Sequence, residues 1–292
     1  MGGESLVCVK DEDLVKVHVH TLKPGDALNI GQRYGEFIKL KIENMQEQHS
    51  TIIANASSET KKEEVKEEKV VKEAQKYGIV AVAAGEGITQ LFYDLGADVV
   101  VSGGQTMNPS AEDFLKAFDE VNADTVFVLP NNGNVIFAAN QAAELSKKDV
   151  RVIPTKNVAM GIAAAIAFQN DLEPDENVER MNEAAQHVKT GMVTYAIRDS
   201  EYNGIEIKQG DIIGLHNGKI EFSGTSIREV VMQMMKNIIT EEDELITVYY
   251  GADVKEEDAK EIADEIESEY DACDVECHNG GQPLYYYLIS VE

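Results

Sequence analysis

Asp98-Val99-Val100-Val101-Ser102-Gly103-Gly104-Gln105-Thr106-Met107-Asn108-Pro109-Ser110 opens with an apolar run, breaks into a polar, loop-forming cluster and leads into helix-like sequence. The same unit recurs twice. Thr125–Leu129 runs into Pro130-Asn131-Asn132-Gly133-Asn134, and Val150–Ile153 runs into Pro154-Thr155-Lys156-Asn157. Short β-rich runs alternating with helical segments predict a parallel sheet. The loops that follow such strands share one sheet edge, where ligands usually sit. Ile79–Ala84 reads as a buried strand before these units, Gly85-Glu86-Gly87 as a turn, and Ile88–Gly96 as a helix. Ser110 with Asp113 three residues on has the form of a capping box.

On the C-terminal side, Glu176–Lys189 reads as a helix, and beyond Gly191 the texture changes. Met192–Arg198, Gly204–Ile207, Asp211–Leu215 and Lys219–Phe222 are short β-type runs, with Asn-Gly at 203–204 and 217–218 as hairpin turns. A helix over Ser226–Ile239 capped by Thr225, a strand at Glu244–Tyr250, an acidic helix at Lys255–Tyr270 and strands at Cys273–Cys277 and Leu284–Val291 complete a second α/β half.

On the N-terminal side, Ser5–Val9 and Leu14–Thr21 predict a hairpin, Pro24-Gly25 a turn and Asp26–Gln48 a helix. One hairpin and one helix bury too little surface to stand alone, so this part is expected to need an upstream portion or another chain. Ser57–Gln75 is dominated by Lys and Glu and reads as a solvated linker or exposed helix. The expected domains are therefore residues 1–50, an incomplete domain; 51–76, a charged linker; and 77–292, with lobes of about 77–189 and 190–292.

The chain has 292 residues and a formal net charge of -27, from 53 acidic and 26 basic side chains. That balance argues against nucleic acid and against an anionic membrane surface. No apolar stretch approaches the length of a membrane span, so membrane insertion is not expected. Cys8, Cys273 and Cys277 form no disulfide framework, and Met1–Ser5 lacks the basic and apolar regions of a signal peptide, which together predict a reduced, cytoplasmic setting.

Several chemistries fail on spacing. The third glycine of a dinucleotide fingerprint is replaced by Gln90, and Asp98 comes too early for the ribose acid. There is no P-loop and no nucleophile elbow. Cys277 and His278 are adjacent, so in a strand they face opposite sides. His18 and His20 share one strand face and Val15, Val17 and Val19 the other. Two imidazoles can ligate Zn²⁺ but do not make a full site. If Val9 pairs with Leu14, Cys8 lies opposite Val15, on the valine face. The loops at 103–110, 131–134 and 155–157 carry hydroxyls, amides and N–H groups able to hold a carboxylate or phosphate. The plainer reading, which the residues alone favour, is that they cap helices.

Val100–Ser110, Leu129-Pro130-Asn131-Asn132, Ile153-Pro154-Thr155-Lys156 and Gly280-Gly281-Gln282-Pro283-Leu284-Tyr285 resemble the C-terminal part of the ATP-binding subunit of bacterial fatty acid kinase, the FakA or YloV type, related to dihydroxyacetone kinase. Lys16-Val17-His18-Val19-His20-Thr21, Gly31-Gln32-Arg33-Tyr34-Gly35-Glu36 and Glu43-Asn44-Met45 are similar to the end of that family's middle domain. The resemblance covers nearly the whole chain apart from the charged linker.

It implies a bilobal DegV-like (EDD) α/β fold, with a parallel-sheet lobe and a mixed α/β lobe, preceded by a β-hairpin and helix fragment. In that family an aspartate-rich N-terminal domain binds ATP and Mg²⁺. A DegV-type carrier presents a fatty acid, and its carboxylate is phosphorylated to an acyl phosphate. The middle domain forms a homodimer and holds Zn²⁺ with one cysteine and the two histidines of a His-x-His strand. No aspartate-rich motif is present here, so ATP and Mg²⁺ are expected only in a missing domain and this chain alone is expected to be inactive. The family's zinc cysteine lies upstream of the matching residues and Cys8 does not match it, leaving His18 and His20 as a partial zinc site.

By the same resemblance, the ligand-like loops comprise Ser102, Gln105, Thr106, Ser110, Asn131, Asn132, Thr155 and His278, with Asn131-Asn132-Gly133 replacing the carrier's Ser-Gly loop. The implied role is a non-catalytic one, docking the loaded carrier. The rival role is a lipid-binding module holding a fatty acid in its own interlobe cleft.

Overall fold

The computed structural model describes residues 3–11, 14–21, 23–35, 75–103, 108–202 and 204–292, with side chains from residue 23 onward. The chain divides into two compact units, Met1–Val70 and Val71–Glu292.

In the first unit, β1 (Gly3–Asp11) and β2 (Leu14–Thr21) form an antiparallel hairpin. Asp11 pairs with Leu14, so the strands close to within two residues of each other. Val9 consequently lies opposite Lys16 instead of Leu14, and Cys8 opposite Val17 instead of Val15. Helix α1 spans Pro24–Gly31. Pro24-Gly25, expected as a turn, instead begins the helix, where proline's missing N–H costs nothing and its fixed φ is helical. The rest of the expected 26–48 helix from residue 36 on, and the charged segment up to residue 74, lie outside the described residues.

The second unit opens with β3 (Gln75–Ala83), α2 (Glu86–Asp94), β4 (Val99–Ser102), α3 (Ala111–Glu120), β5 (Ala123–Leu129), α4 (Ile136–Leu145), β6 (Asp149–Val152), α5 (Val158–Ala167) and α6 (Pro174–His187). The strands form one parallel sheet in the order β4-β3-β5-β6. Strand β3 is buried from Tyr77 to Ala83, which is why its sequence is continuously apolar and not alternating. Tyr77, Ile79, Ala81 and Ala83 enter one core with Phe92, Phe127, Ile162 and Met181, whereas Val80 and Val82 enter another with Phe114, Phe118 and Ala139. Helices thus cover both faces. The turn expected at Gly85-Glu86-Gly87 is shorter, because α2 already begins at Glu86.

The second half contains β7 (Lys189–Tyr195), β8 (Ser200–Tyr202), β9 (Ile205–Ile207), β10 (Ile212–His216), β11 (Lys219–Gly224), α7 (Ile227–Ile238), β12 (Leu245–Tyr250), α8 (Glu256–Glu269), β13 (Asp274–Asn279) and β14 (Tyr285–Val291). Its main sheet has the order β11-β10-β7-β14-β12-β13, antiparallel except for β12 with β13. Strand β8, absent from the sequence reading, pairs only with β9. Asn217 (φ 47°) and Gly218 (φ 80°) both take the left-handed conformation that the predicted hairpin turn needs. Helix α7 is capped by Ser226, not Thr225; the Ser226 side chain accepts from the Glu229 amide. The α7 and α8 side of the sheet is a core of Val230, Met234, Met235, Ile262, Ile266 and Ile289. From the other side Met192, Tyr249 and Leu288 join the core of the first half.

Asp243 fastens the start of β7 to the loop after α7. Its carboxylate receives Lys189 Nζ at 2.7 Å, the Thr240 amide at 2.6 Å and the Thr240 hydroxyl at 2.9 Å. Burial alone would push this carboxyl up, but the hydrogen bonds from Lys189 and Thr240 outweigh it and hold it below its ordinary value. A lowered folded-state value adds stability that is present above the unfolded value, about 3.9, and is lost as pH falls through the folded one. Asp243→Asn is expected to cost about 2 kcal/mol at pH 7. In urea titrations run from pH 7 toward pH 3.5, the gap from the parent protein is expected to close on the acid side.

Candidate functional site

The parallel sheet places the loops after β3, β4, β5 and β6 along one edge. In the order β4-β3-β5-β6 the chain leaves β3 in one direction and returns to β5 on its other side, so the crevice of a doubly wound sheet falls between β3 and β5. The sequence-predicted residues gather around this edge, but their polar atoms are largely engaged with one another.

Asn131 sits just past β5 with φ 54° and is buried. Asparagine tolerates this left-handed backbone better than most residues. Its Nδ2 donates to the Val82 carbonyl of β3 at 2.9 Å. Its backbone N–H donates to Thr155 Oγ1 at 3.0 Å, and the Thr155 hydroxyl donates in turn to Asn131 Oδ1 at 2.9 Å. Thr155, after β6, is fully buried. Asn131 therefore crosses the crevice from the β5 end to β3 and is locked by the β6 loop. Gly161 of α5 leaves room for it, since a Cβ there would lie 1.9 Å from Asn131 Oδ1.

The remaining predicted residues serve their own loops. Asn132 Oδ1 accepts from the Asn134 amide at 2.9 Å. Ser110 and Asp113 form the expected capping box of α3, and hydrogen bonds from the Ser110 backbone and side chain hold the Asp113 carboxyl below its ordinary value. Ser102 is exposed at the end of β4. Gln105 and Thr106 lie outside the described residues. His278 is on β13 in the other half, stacked on Tyr249 with ring centroids 5.8 Å apart and 2.9 Å from Glu276. Its neighbour Cys277 packs instead against the α7–α8 core, so the two do point apart. Burial pushes the Tyr249 hydroxyl up to about 12, with Glu276 adding to the effect.

A second buried chain of hydrogen bonds has no local signature. Asn157 caps α5 through the Met160 amide and donates to Thr190 Oγ1 at 3.1 Å; Thr190 donates onward to Asn217 Oδ1 at 3.2 Å. Only the capping role of Asn157 could be found from spacing, since Thr190 and Asn217 are distant in sequence. Beside these groups, Asn157, Val158, Thr190, Met192 and Leu288 line a cavity of about 10 Å³. That is room for about one water.

His18 and His20 of β2 lie opposite Val7 and Glu4, so neither is paired with a cysteine. Side chains of this hairpin lie outside the described residues. Among the described residues no cluster of three or more metal-ligating side chains occurs, and no helix is long and apolar enough to cross a membrane.

Comparison with known proteins gives a consistent result. Residues 78–292 match the FakA-like C-terminal family of fatty acid kinases, and residues 1–52 match the FakA-like middle domain. The chain is 46% identical over 290 residues to Protein YloV of Bacillus subtilis (strain 168), covering 99% of this chain and 51% of that protein. It is 41% identical over 290 residues to an uncharacterized protein of Staphylococcus haemolyticus (strain JCSC1435), covering 99% and 52%. It thus spans about half the length of these relatives.

Among solved structures, a fatty-acid-binding DegV family protein from Thermus thermophilus superposes with TM-score 0.56 at 15% identity, covering 74% of this chain and 99% of that one. The Streptococcus pneumoniae fatty acid kinase B3 protein loaded with linoleic acid gives TM-score 0.52 at 12% identity, covering 75% and 99%. The dihydroxyacetone kinase operon co-activator DhaQ gives 0.52 at 14%, covering 75% and 82%. At these identities what is shared is the fold, the DegV-like α/β architecture expected from the sequence.

Proposed function

The chain belongs to the FakA-like fatty acid kinase family, and from that premise we propose that its Val71–Glu292 unit docks a DegV-type carrier loaded with a fatty acid. The docked carrier presents its acyl carboxylate for phosphorylation by an ATP- and Mg²⁺-binding domain outside the present residues. The unit would then contribute orientation and not chemistry: holding two reactants together replaces a bimolecular encounter with a positioned one.

The observation that supports docking over ligand binding is the closed interior. The fold is that of fatty-acid-binding proteins, yet Asn131 fills the crevice between β3 and β5, and Met192, Tyr249 and Leu288 are packed into the core between the halves. Pockets that enclose ligands of this size run to about 300 Å³ or more, and the cavity beside Leu288 is some thirty times smaller.

Titration calorimetry of the 292-residue chain against a fatty-acid-loaded DegV-type protein is expected to show saturable binding, retained when residues 1–70 are removed. Lipid extraction and mass spectrometry of the purified chain is expected to find no stoichiometric acyl chain. An ATP-turnover assay with carrier and fatty acid is expected to stay at background. Loss of carrier binding would sink the docking role, and an acyl chain at one equivalent would establish the rival, a lipid held in the chain's own cleft.

A further inference from the structure

The N-terminus of α2 is blocked from inside the molecule. Gly85, its N-cap, has φ 99° and offers no side-chain cap. The cap comes instead from the other half: the Ile88 amide donates to the Gly280 carbonyl at 3.1 Å. The turn that delivers this carbonyl is tied to the end of β12. Gly280 and Gly281 amides both donate to the Tyr250 carbonyl at 3.0 and 3.1 Å, the Ala252 amide donates to the Gln282 carbonyl at 3.1 Å, and Gln282 Nε2 donates to the Tyr249 carbonyl at 2.9 Å.

Glycines on both sides permit the approach. A Cβ on Gly87 would lie 1.7 Å from the Asn279 carbonyl oxygen, and one on Gly85 would lie 2.5 Å from the Gly280 carbonyl oxygen. A Cβ on Gly280 would lie 2.0 Å from Gln282 Oε1, and Gly281 has φ 61° beside the Glu86 and Gly87 amides. The neighbours of Gly85 and Gly87 are backbone, which cannot swing aside as a side-chain tip can.

Two features of this turn are unfavourable in the closed arrangement. Gln282 is 3% exposed, and its Oε1 is buried without a hydrogen-bond partner. Leu284 takes φ 71°, a left-handed conformation costly for a branched side chain. A well-capped helix end reached through a strained backbone and an orphaned acceptor is a contact that holds but is poised to release.

We propose that the 279–285 turn is an interlobe latch: its Gly280 carbonyl takes the anion's place at the α2 N-terminus and keeps the two halves shut over Tyr249, Leu288 and Met192. Release bares the α2 amides and the Gln282 amide together, so the closed state is self-occluding. This holds whether or not the docking role does.

Hydrogen exchange on the 292-residue chain tests it with two substitutions of opposite sign. Alanine is the better helix former, so Gly87→Ala would by itself tighten α2. The latch instead predicts exchange at the Ile88 amide about tenfold faster, with Val248 and Ile289 amides in the central strands of the second sheet unchanged. Leu284→Gly removes the left-handed cost and is expected to slow Ile88 exchange by up to about tenfold. Unchanged or slower exchange at Ile88 in folded Gly87→Ala, equal acceleration at Val248, or faster Ile88 exchange in Leu284→Gly would each overturn the latch.

Discussion

Asn131→Ala is expected to destabilise the Val71–Glu292 unit by about 3 kcal/mol, out of proportion to the few atoms removed. Two buried hydrogen bonds of 2.9 Å disappear, one to the Val82 carbonyl and one from the Thr155 hydroxyl. Stranding such groups away from water costs about 1–3 kcal/mol. The alanine must also keep φ near 54°, which adds roughly 1–2 kcal/mol for an ordinary L-residue. The neighbouring Asn132→Ala is the control. Its side chain serves only the Asn134 amide in its own turn, and about 1 kcal/mol covers that loss. Urea unfolding of the two variants side by side decides the matter. Equal midpoints would show that Asn131 does not hold the crevice shut, and the case for a closed ligand site would fall with it.

Phe127→Ala is expected to cost about 4 kcal/mol, the largest effect of any substitution considered for this chain. Phe127 is fully buried on β5, a central strand, and its ring lies 5.6 Å from Tyr77 and 5.4 Å from Phe168. The substitution removes the transfer energy of a whole aromatic side chain, leaves a cavity the sheet cannot close, and breaks two aromatic pairs of about 0.5–1.5 kcal/mol each. Phe127→Leu, which keeps most of the volume, should lose under about 1.5 kcal/mol. Phe137 on α4 is 74% exposed, so Phe137→Ala should change stability by less than about 0.5 kcal/mol. Thermal and urea denaturation of the three variants would check the order. A Phe127→Ala protein as stable as Phe127→Leu would mean that this core collapses around the gap.

Much of the architecture was legible because it rests on local rules. The runs ending at Ser102 and Leu129 are strands β4 and β5 as read, and the run 150–153 corresponds to β6, one residue earlier at each end. Ser110 and Asp113 form the capping box their spacing predicts. Where the reading slipped, it slipped at boundaries. Pro24 and Glu86 start helices instead of occupying turns, and Ser226 caps α7 in place of Thr225. Adjacent hydroxyls have equal intrinsic ability to cap, and only the chain's approach direction selects between them. Strand β8 was missed because Ser200-Glu201-Tyr202 is short and exposed, with no apolar alternation to mark it.

The candidate site divides along the same line. Periodicity, turn residues and the motifs around Gly103 and Gly280 were enough to determine a parallel sheet, its ligand-bearing edge and the family, because each depends on neighbours within a few residues. Whether that edge is open was decided only in three dimensions. Asn131 reads as a donor for a ligand until Val82, 49 residues away, and Thr155, 24 residues away, consume its hydrogen bonds. Gly85-Glu86-Gly87 reads as a turn until the Gly280 carbonyl arrives from the other half to cap the helix behind it. A polar group's identity is written in the sequence, but its partner is a matter of distance in space, and in this protein the partners are the chain's own.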